Sequence, residues 1–194
     1  MLLAGYWGAA GSSRERRHSI RRTVLGGFVT AGVALLLSRV IQNLWETHRP
    51  IHDPALSGSF QAQFRAILGD DFHAFPSDHA AFLVPLVWSL GRLQPWLGAA
   101  TAVLLACALG ARAYAGPHYP TDILAGAILG AVIVWGERRW PEVASRGVAL
   151  VDEARALWPV ATAAGLFLIA YWYASMFESI RDLAGAVVRA LGHL

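Results

Sequence analysis

Three short segments of the chain gather the side chains best suited to handling a phosphate group: Arg49-Pro50, Pro76-Ser77-Asp78-His79, and the series Arg112, His118, Asp122. The third is the most specific. Proline suits the first position of a helix, so a helix should begin at Pro120, with His118 just outside it and Asp122 in its first turn. A carboxylate at that spacing can accept a proton from one imidazole nitrogen, fix the tautomer and leave the other nitrogen able to attack. Arg112 ends the preceding apolar run, and its planar fork can hold two phosphate oxygens. In the second segment Ser77 reads as the N-cap of a helix whose first N–H groups favour an anion. His79, in the first turn, is placed to protonate a leaving oxygen. Arg49 offers a second phosphate clamp. Each segment alone has an ordinary alternative: His and Arg side chains that anchor helix ends, a capped helix with a surface histidine, an isolated Arg-Pro. Their joint occurrence favours chemistry, because ionisable groups at membrane boundaries are costly and usually functional.

The elements that must position these groups are membrane helices. Of 194 residues, 56% are apolar and only 15% charged, against about 25% charged in soluble domains. Several runs approach or exceed the ~20 apolar residues that cross a bilayer. The expected spans are Val24 to Trp45, Asp78 to Leu93, Trp96 to Tyr114, Thr121 to Gly136 and Trp158 to Phe177. The architecture expected is therefore all-α: an integral membrane helical bundle of about five transmembrane helices with short interfacial amphipathic helices. The latter are expected around Leu2 to Trp7, over Phe60 to Leu68, near 141–156 and over Gly185 to Leu194. The chain reads as one domain, 1–194, with its motif-bearing core at about 24–137 and an extra span at about 158–177.

All sixteen basic residues are arginines, and their distribution sets an orientation. Arg14, Arg16, Arg17, Arg21, Arg22, Arg92, Arg138, Arg139, Arg146 and Arg155 fall on one side of this topology. Arg49, Arg65 and Arg112 fall on the other. By the positive-inside rule the N-terminus is cytoplasmic, and all three phosphate-handling segments face the extracytoplasmic side. The net charge of +3 comes without a basic stripe or interleaved aromatics, so nucleic acid is not an expected partner. The single cysteine, Cys107, cannot form an internal disulfide.

The segments resemble the motifs of the type 2 phosphatidic acid phosphatase superfamily, which includes vanadium haloperoxidases: Lys-x6-Arg-Pro, Pro-Ser-Gly-His and Ser-Arg-x5-His-x3-Asp. The resemblance covers roughly residues 24–137. It implies His118 as nucleophile, Asp122 as its orienter, His79 as general acid, and Arg49, Arg112 and Ser77 as phosphate ligands, with no metal or other cofactor. Three positions depart from the pattern: Gln42 stands in place of lysine, Asp78 in place of glycine and Ala111 in place of serine. Gln42 and Asp78 join the expected substrate-binding set by position. Arg39 lies three residues before Gln42 and reaches the site only if the helix geometry allows it.

The Pro-Ser-Asp-His form resembles the subgroup that hydrolyses polyprenyl diphosphates. The function expected is thus a metal-independent membrane lipid phosphatase of the cell membrane, converting undecaprenyl diphosphate to the monophosphate through a phosphohistidine. The alternatives are a phosphatidic acid or phosphatidylglycerol phosphate phosphatase, a lipid phosphotransferase with the same site, and a non-catalytic lipid-phosphate binding or transport protein. The family core usually has six spans with two before Arg-Pro; here one precedes it and an extra one follows the third motif. His48, His52, Asp53 and His73 also fall in the outer segments, but their spacing matches no tight metal motif.

Overall fold

The computed structural model describes residues 13–45, 47–56, 58, 74–139 and 141–174. Among these it contains six α-helices: α1 Arg14–Leu44, α2 Asp78–Leu93, α3 Pro95–Ala115, α4 Pro120–Glu137, α5 Pro141–Leu157 and α6 Pro159–Ala174, plus one 3₁₀ turn at Pro50–His52. The expected interfacial helices at 2–7, 60–68 and 185–194 lie outside the described residues, as do Glu46, Arg65, His73 and Trp140.

Local sequence sets the helix boundaries. Ser13 caps α1 by accepting the Arg16 N–H at 3.3 Å, and no breaker follows before Trp45. The helix therefore runs through the arginine cluster, ten residues earlier than the apolar run from Val24 suggests. Gln94 ends α2 and, with Pro95 in the first turn, opens α3. Gly116, at φ 91°, takes the left-handed conformation that closes α3. Tyr119 then precedes α4 with Pro120 in its first turn.

The bundle is built around α2, which packs most extensively against α1 and α4 and then against α3. Val24 and Leu90 form one apolar cluster with Phe28 and Leu86. Ala31, Leu35 and Phe82 form a second, nearer the start of α2. Against α4 the contact is closer still. A Cβ on Gly126 would come within 2.2 Å of the Ser77 carbonyl oxygen, and one on Gly130 within 2.7 Å of that of Ala81. Gly126-x-x-x-Gly130 is thus a small-residue seam that lets two helix backbones approach. It fixes the start of α2 beside the start of α4, where two of the three motifs lie.

Outward faces are apolar: Val103, Leu104, Leu124, Ile128 and Val132 are all more than half exposed. Among the described residues three helices are long and apolar enough to cross a membrane: Glu15–Leu44, Pro95–Ala115 and Pro120–Glu137. The chain is a helical membrane protein. At sixteen residues each, α2 and the described part of α6 rise roughly 24 Å, short of the ~30 Å hydrocarbon core. At the bundle end away from the motifs, α5 packs on α1 through Ala144 and Val148. The Arg21–Asp152 and Arg92–Glu137 ion pairs lie at that end.

Candidate active site

Helices α1 and α3 end, and α2 and α4 begin, at the same end of the bundle. This alternation brings the three motif segments together, and hydrogen bonds tie them to one another. Ser77 N–H donates to the Asp122 carbonyl at 2.9 Å, Ile51 N–H to Gly116 at 3.1 Å, and Ala74 N–H to Thr47 at 3.3 Å. Thr47 Oγ1 accepts the Phe75 N–H at 2.9 Å. Arg49 Nη1 donates to the Pro117 carbonyl at 3.1 Å, so its stem is held against the His118 turn. The Phe75–Pro76 peptide is cis.

His118 is buried, with 2% of its surface exposed. Its Nδ1 lies 2.9 Å from the Ala74 carbonyl oxygen. A carbonyl can only accept, so Nδ1 carries the proton and Nε2 carries the lone pair. Nε2 is fully enclosed and has no hydrogen-bond partner among the described residues. The expected orienter, Asp122, is 3.9 Å from Nδ1, beyond hydrogen-bond range. Its carboxylate instead accepts the Tyr119 N–H at 2.8 Å and so fixes the turn that carries His118. Burial, reinforced by the positive charge of Arg49 and, to a lesser degree, Arg112, and opposed by Asp78, lowers the His118 imidazole from 6.5 to about 4. With the imidazole so lowered, the ring is neutral near pH 7.

The second motif is held by α1. Gln42, buried, donates from Nε2 to the Pro76 carbonyl at 2.8 Å. One turn earlier Arg39 Nη2 donates to Asp78 Oδ2 at 2.5 Å. The other oxygen, Asp78 Oδ1, accepts from His79 Nδ1 at 2.7 Å and from the His79 N–H at 2.7 Å. Arg39 thus reaches the motif, and Gln42 is engaged with backbone. Ser77, expected to cap α2 with its hydroxyl, makes no such bond; its Oγ is buried without a hydrogen-bond partner among the described residues, as is Arg112 Nε. Buried polar atoms are ordinarily paired. Here Ser77 Oγ, Arg112 Nε and His118 Nε2, one from each of three neighbouring elements, are not.

Ligand-type atoms of Asp78, His79 and His118 lie within 4.8 Å of one another, a spacing that would suit a metal. Among the described residues this group, and not His48, His52 and Asp53, meets that test. Arg39 pairs with the Asp78 carboxylate of this group, and Arg49 and Arg112 both bear electrostatically on His118. Asp53 is engaged elsewhere, accepting from the Tyr119 hydroxyl at 3.1 Å.

A buried imidazole thus sits among arginines at one end of a membrane bundle. The model of the PAP2 superfamily, the type 2 phosphatidic acid phosphatases, matches residues 17–146, more than half of the chain, and the protein belongs to that superfamily. Membership points to a phosphatase, a hydrolase acting on phosphate esters. No curated protein and no solved structure gives a significant match to the chain.

Proposed function

We propose that the protein is a lipid phosphatase that uses His118 Nε2 as nucleophile and acts on a polyprenyl diphosphate, releasing phosphate and the lipid monophosphate. The observation that carries this reading is the enclosed Nε2 of His118, without a hydrogen-bond partner among the described residues, its tautomer set by Ala74 and its charge suppressed by burial and by Arg49.

In the proposed sequence Arg49, Arg112 and Ser77 hold the terminal phosphate. His118 Nε2 attacks phosphorus in line, an N–P bond forms and the P–O bond to the leaving lipid phosphate breaks. His79 delivers a proton to that oxygen. Water then gives a proton to His79 and its oxygen to phosphorus, which breaks the N–P bond and returns both histidines to their starting states. Catalysis is mainly positioning and charge stabilisation, and no step calls for a metal. A cavity of about 620 Å³ runs along α2 and α3, from Leu109, one turn from Arg112, past Leu105, Ala102 and Trp88 to Pro95. It is almost wholly apolar and suits a hydrocarbon chain attached to a phosphate held at Arg112. The diphosphate preference rests on the likeness of Pro-Ser-Asp-His to the polyprenyl diphosphate subgroup. Phosphate release by the purified protein from polyprenyl diphosphate, phosphatidic acid and phosphatidylglycerol phosphate tests it. Preference for either glycerolipid would replace the substrate while leaving the chemistry.

The site should be extracytoplasmic, because the bundle end opposite it carries Arg21, Arg92, Arg138 and Arg139. In a Cys107→Ala background, Ala55→Cys is expected to react with a membrane-impermeant thiol reagent on intact cells, and Ala149→Cys is not. The reverse pattern would invert the orientation.

The state of His118 also fixes an acid limit. Its neutral form is the active one, so phosphate release should persist as pH falls through 6.5 and fail only as it approaches about 4. A pH–rate profile whose acid limb is centred near 6.5 would contradict the assignment of this imidazole.

A further inference from the structure

We propose that Arg39 and Asp78 form a single positioning unit for His79, in which Asp78 orients the imidazole and Arg39 cancels the charge that Asp78 would otherwise set against the substrate phosphate. The inference rests on the phosphatase reading above and concerns two residues outside its reacting groups.

Both oxygens of Asp78 are engaged. Oδ2 takes the Arg39 guanidinium, and Oδ1 takes His79 Nδ1 together with the His79 backbone N–H. The Asp78 side chain is 9% exposed and its carboxylate is held from two sides, so it cannot turn toward a bound phosphate. Accepting from Nδ1 assigns the proton of that nitrogen and leaves Nε2 to serve the leaving oxygen, the usual way a carboxylate fixes a histidine tautomer. A ring nitrogen of His79 then lies within 4.8 Å of one of His118, close enough for both to serve one phosphoryl group.

The charge argument is separate. An unpaired carboxylate here would oppose a phosphate dianion at close range, in surroundings that screen poorly. Arg39 removes that opposition. The charged and titratable groups facing Asp78 come from every side: Arg39 from α1, His79 from α2, Arg112 from α3 and His118 from the turn before α4. Among them Arg39 alone holds the carboxylate through a direct ion pair other than that of His79. Gln42, one turn along α1, holds the Pro76 carbonyl, so one face of α1 sets both the backbone and the charge of the second motif.

The test is steady-state phosphate release from polyprenyl diphosphate by the full-length protein in detergent, with kcat and KM separated. Asp78→Asn keeps shape but replaces the carboxylate that accepts from His79 Nδ1 with a neutral amide. It should lower kcat by roughly 10- to 100-fold and change KM little. Arg39→Ala leaves the carboxylate unpaired, and KM should rise about 10-fold or more. Adding Asp78→Asn to Arg39→Ala should return KM close to the wild-type value while kcat stays low. Arg39→Lys should restore most of what Arg39→Ala loses. If the two substitutions act independently on KM, or if Asp78→Asn leaves kcat unchanged, the unit does not exist. Should Arg39→Ala fail to fold, the near-isosteric Asp78→Asn still decides the kcat claim. Wild-type protein that releases no phosphate from any of the three lipids overturns the phosphatase reading and this one with it. Wild-type activity with independent effects overturns only the pairing.

Discussion

Replacing His118 with alanine is expected to reduce phosphate release by roughly four orders of magnitude or more, the scale of losing a nucleophile rather than a binding contact. Fold and membrane extraction should be retained. Among the described residues the imidazole makes one hydrogen bond, to the Ala74 carbonyl, and its other nitrogen makes none. Removing it leaves one backbone acceptor beside space that water can enter, a modest cost. By contrast, Asp122→Asn should be much milder. The carboxylate lies 3.9 Å from the ring and acts through the Tyr119 N–H, which an amide oxygen can also accept. A large loss on Asp122→Asn with a small one on His118→Ala would reverse the two roles.

The second large effect should come from Arg112. Its Nε is buried without a hydrogen-bond partner among the described residues, and its electrostatic reach includes His118. A guanidinium in that state is prepared for an anion. Arg112→Ala should lower kcat/KM by roughly 10³-fold, the scale of arginines that stabilise phosphoryl-transfer charge. Arg112→Lys should recover little, because an ammonium cannot reproduce a two-oxygen fork. Recovery to within a few-fold by lysine would mean that Arg112 supplies charge without geometry.

Much of this organisation is legible in the chain itself. The end of α2 follows from Gln94-Pro95 and the start of α4 from Pro120, because proline rules act over a few residues, whereas Ser77 precedes α2 without capping it through its hydroxyl. The shared end of the three motifs follows from counting apolar runs. The long start of α1 is less plain, since arginines are good helix formers yet mark the end of an apolar run. Contacts over distance are harder. Arg39 meets Asp78 across 39 positions of sequence, and only the packing of α1 on α2 decides it. The Ala74 carbonyl that sets the His118 tautomer has no side-chain signature at all. One signal stood in the open: Gly126-x-x-x-Gly130 has the spacing of a close helix crossing, and it is what seats Ser77 beside Asp122. The outer segment from 59 to 73, expected to carry an amphipathic helix, lies outside the described residues.

The central claim is that phosphorus passes through His118 Nε2. It is tested most directly by mixing the protein with polyprenyl diphosphate labelled in its terminal phosphate, quenching within milliseconds and locating the protein-bound label. The account predicts an acid-labile, base-stable phosphoramidate on the peptide that contains His118, formed faster than phosphate is released and missing from His118→Ala. Label on His79, or phosphate release at full rate with no protein-bound label at any time, would contradict it.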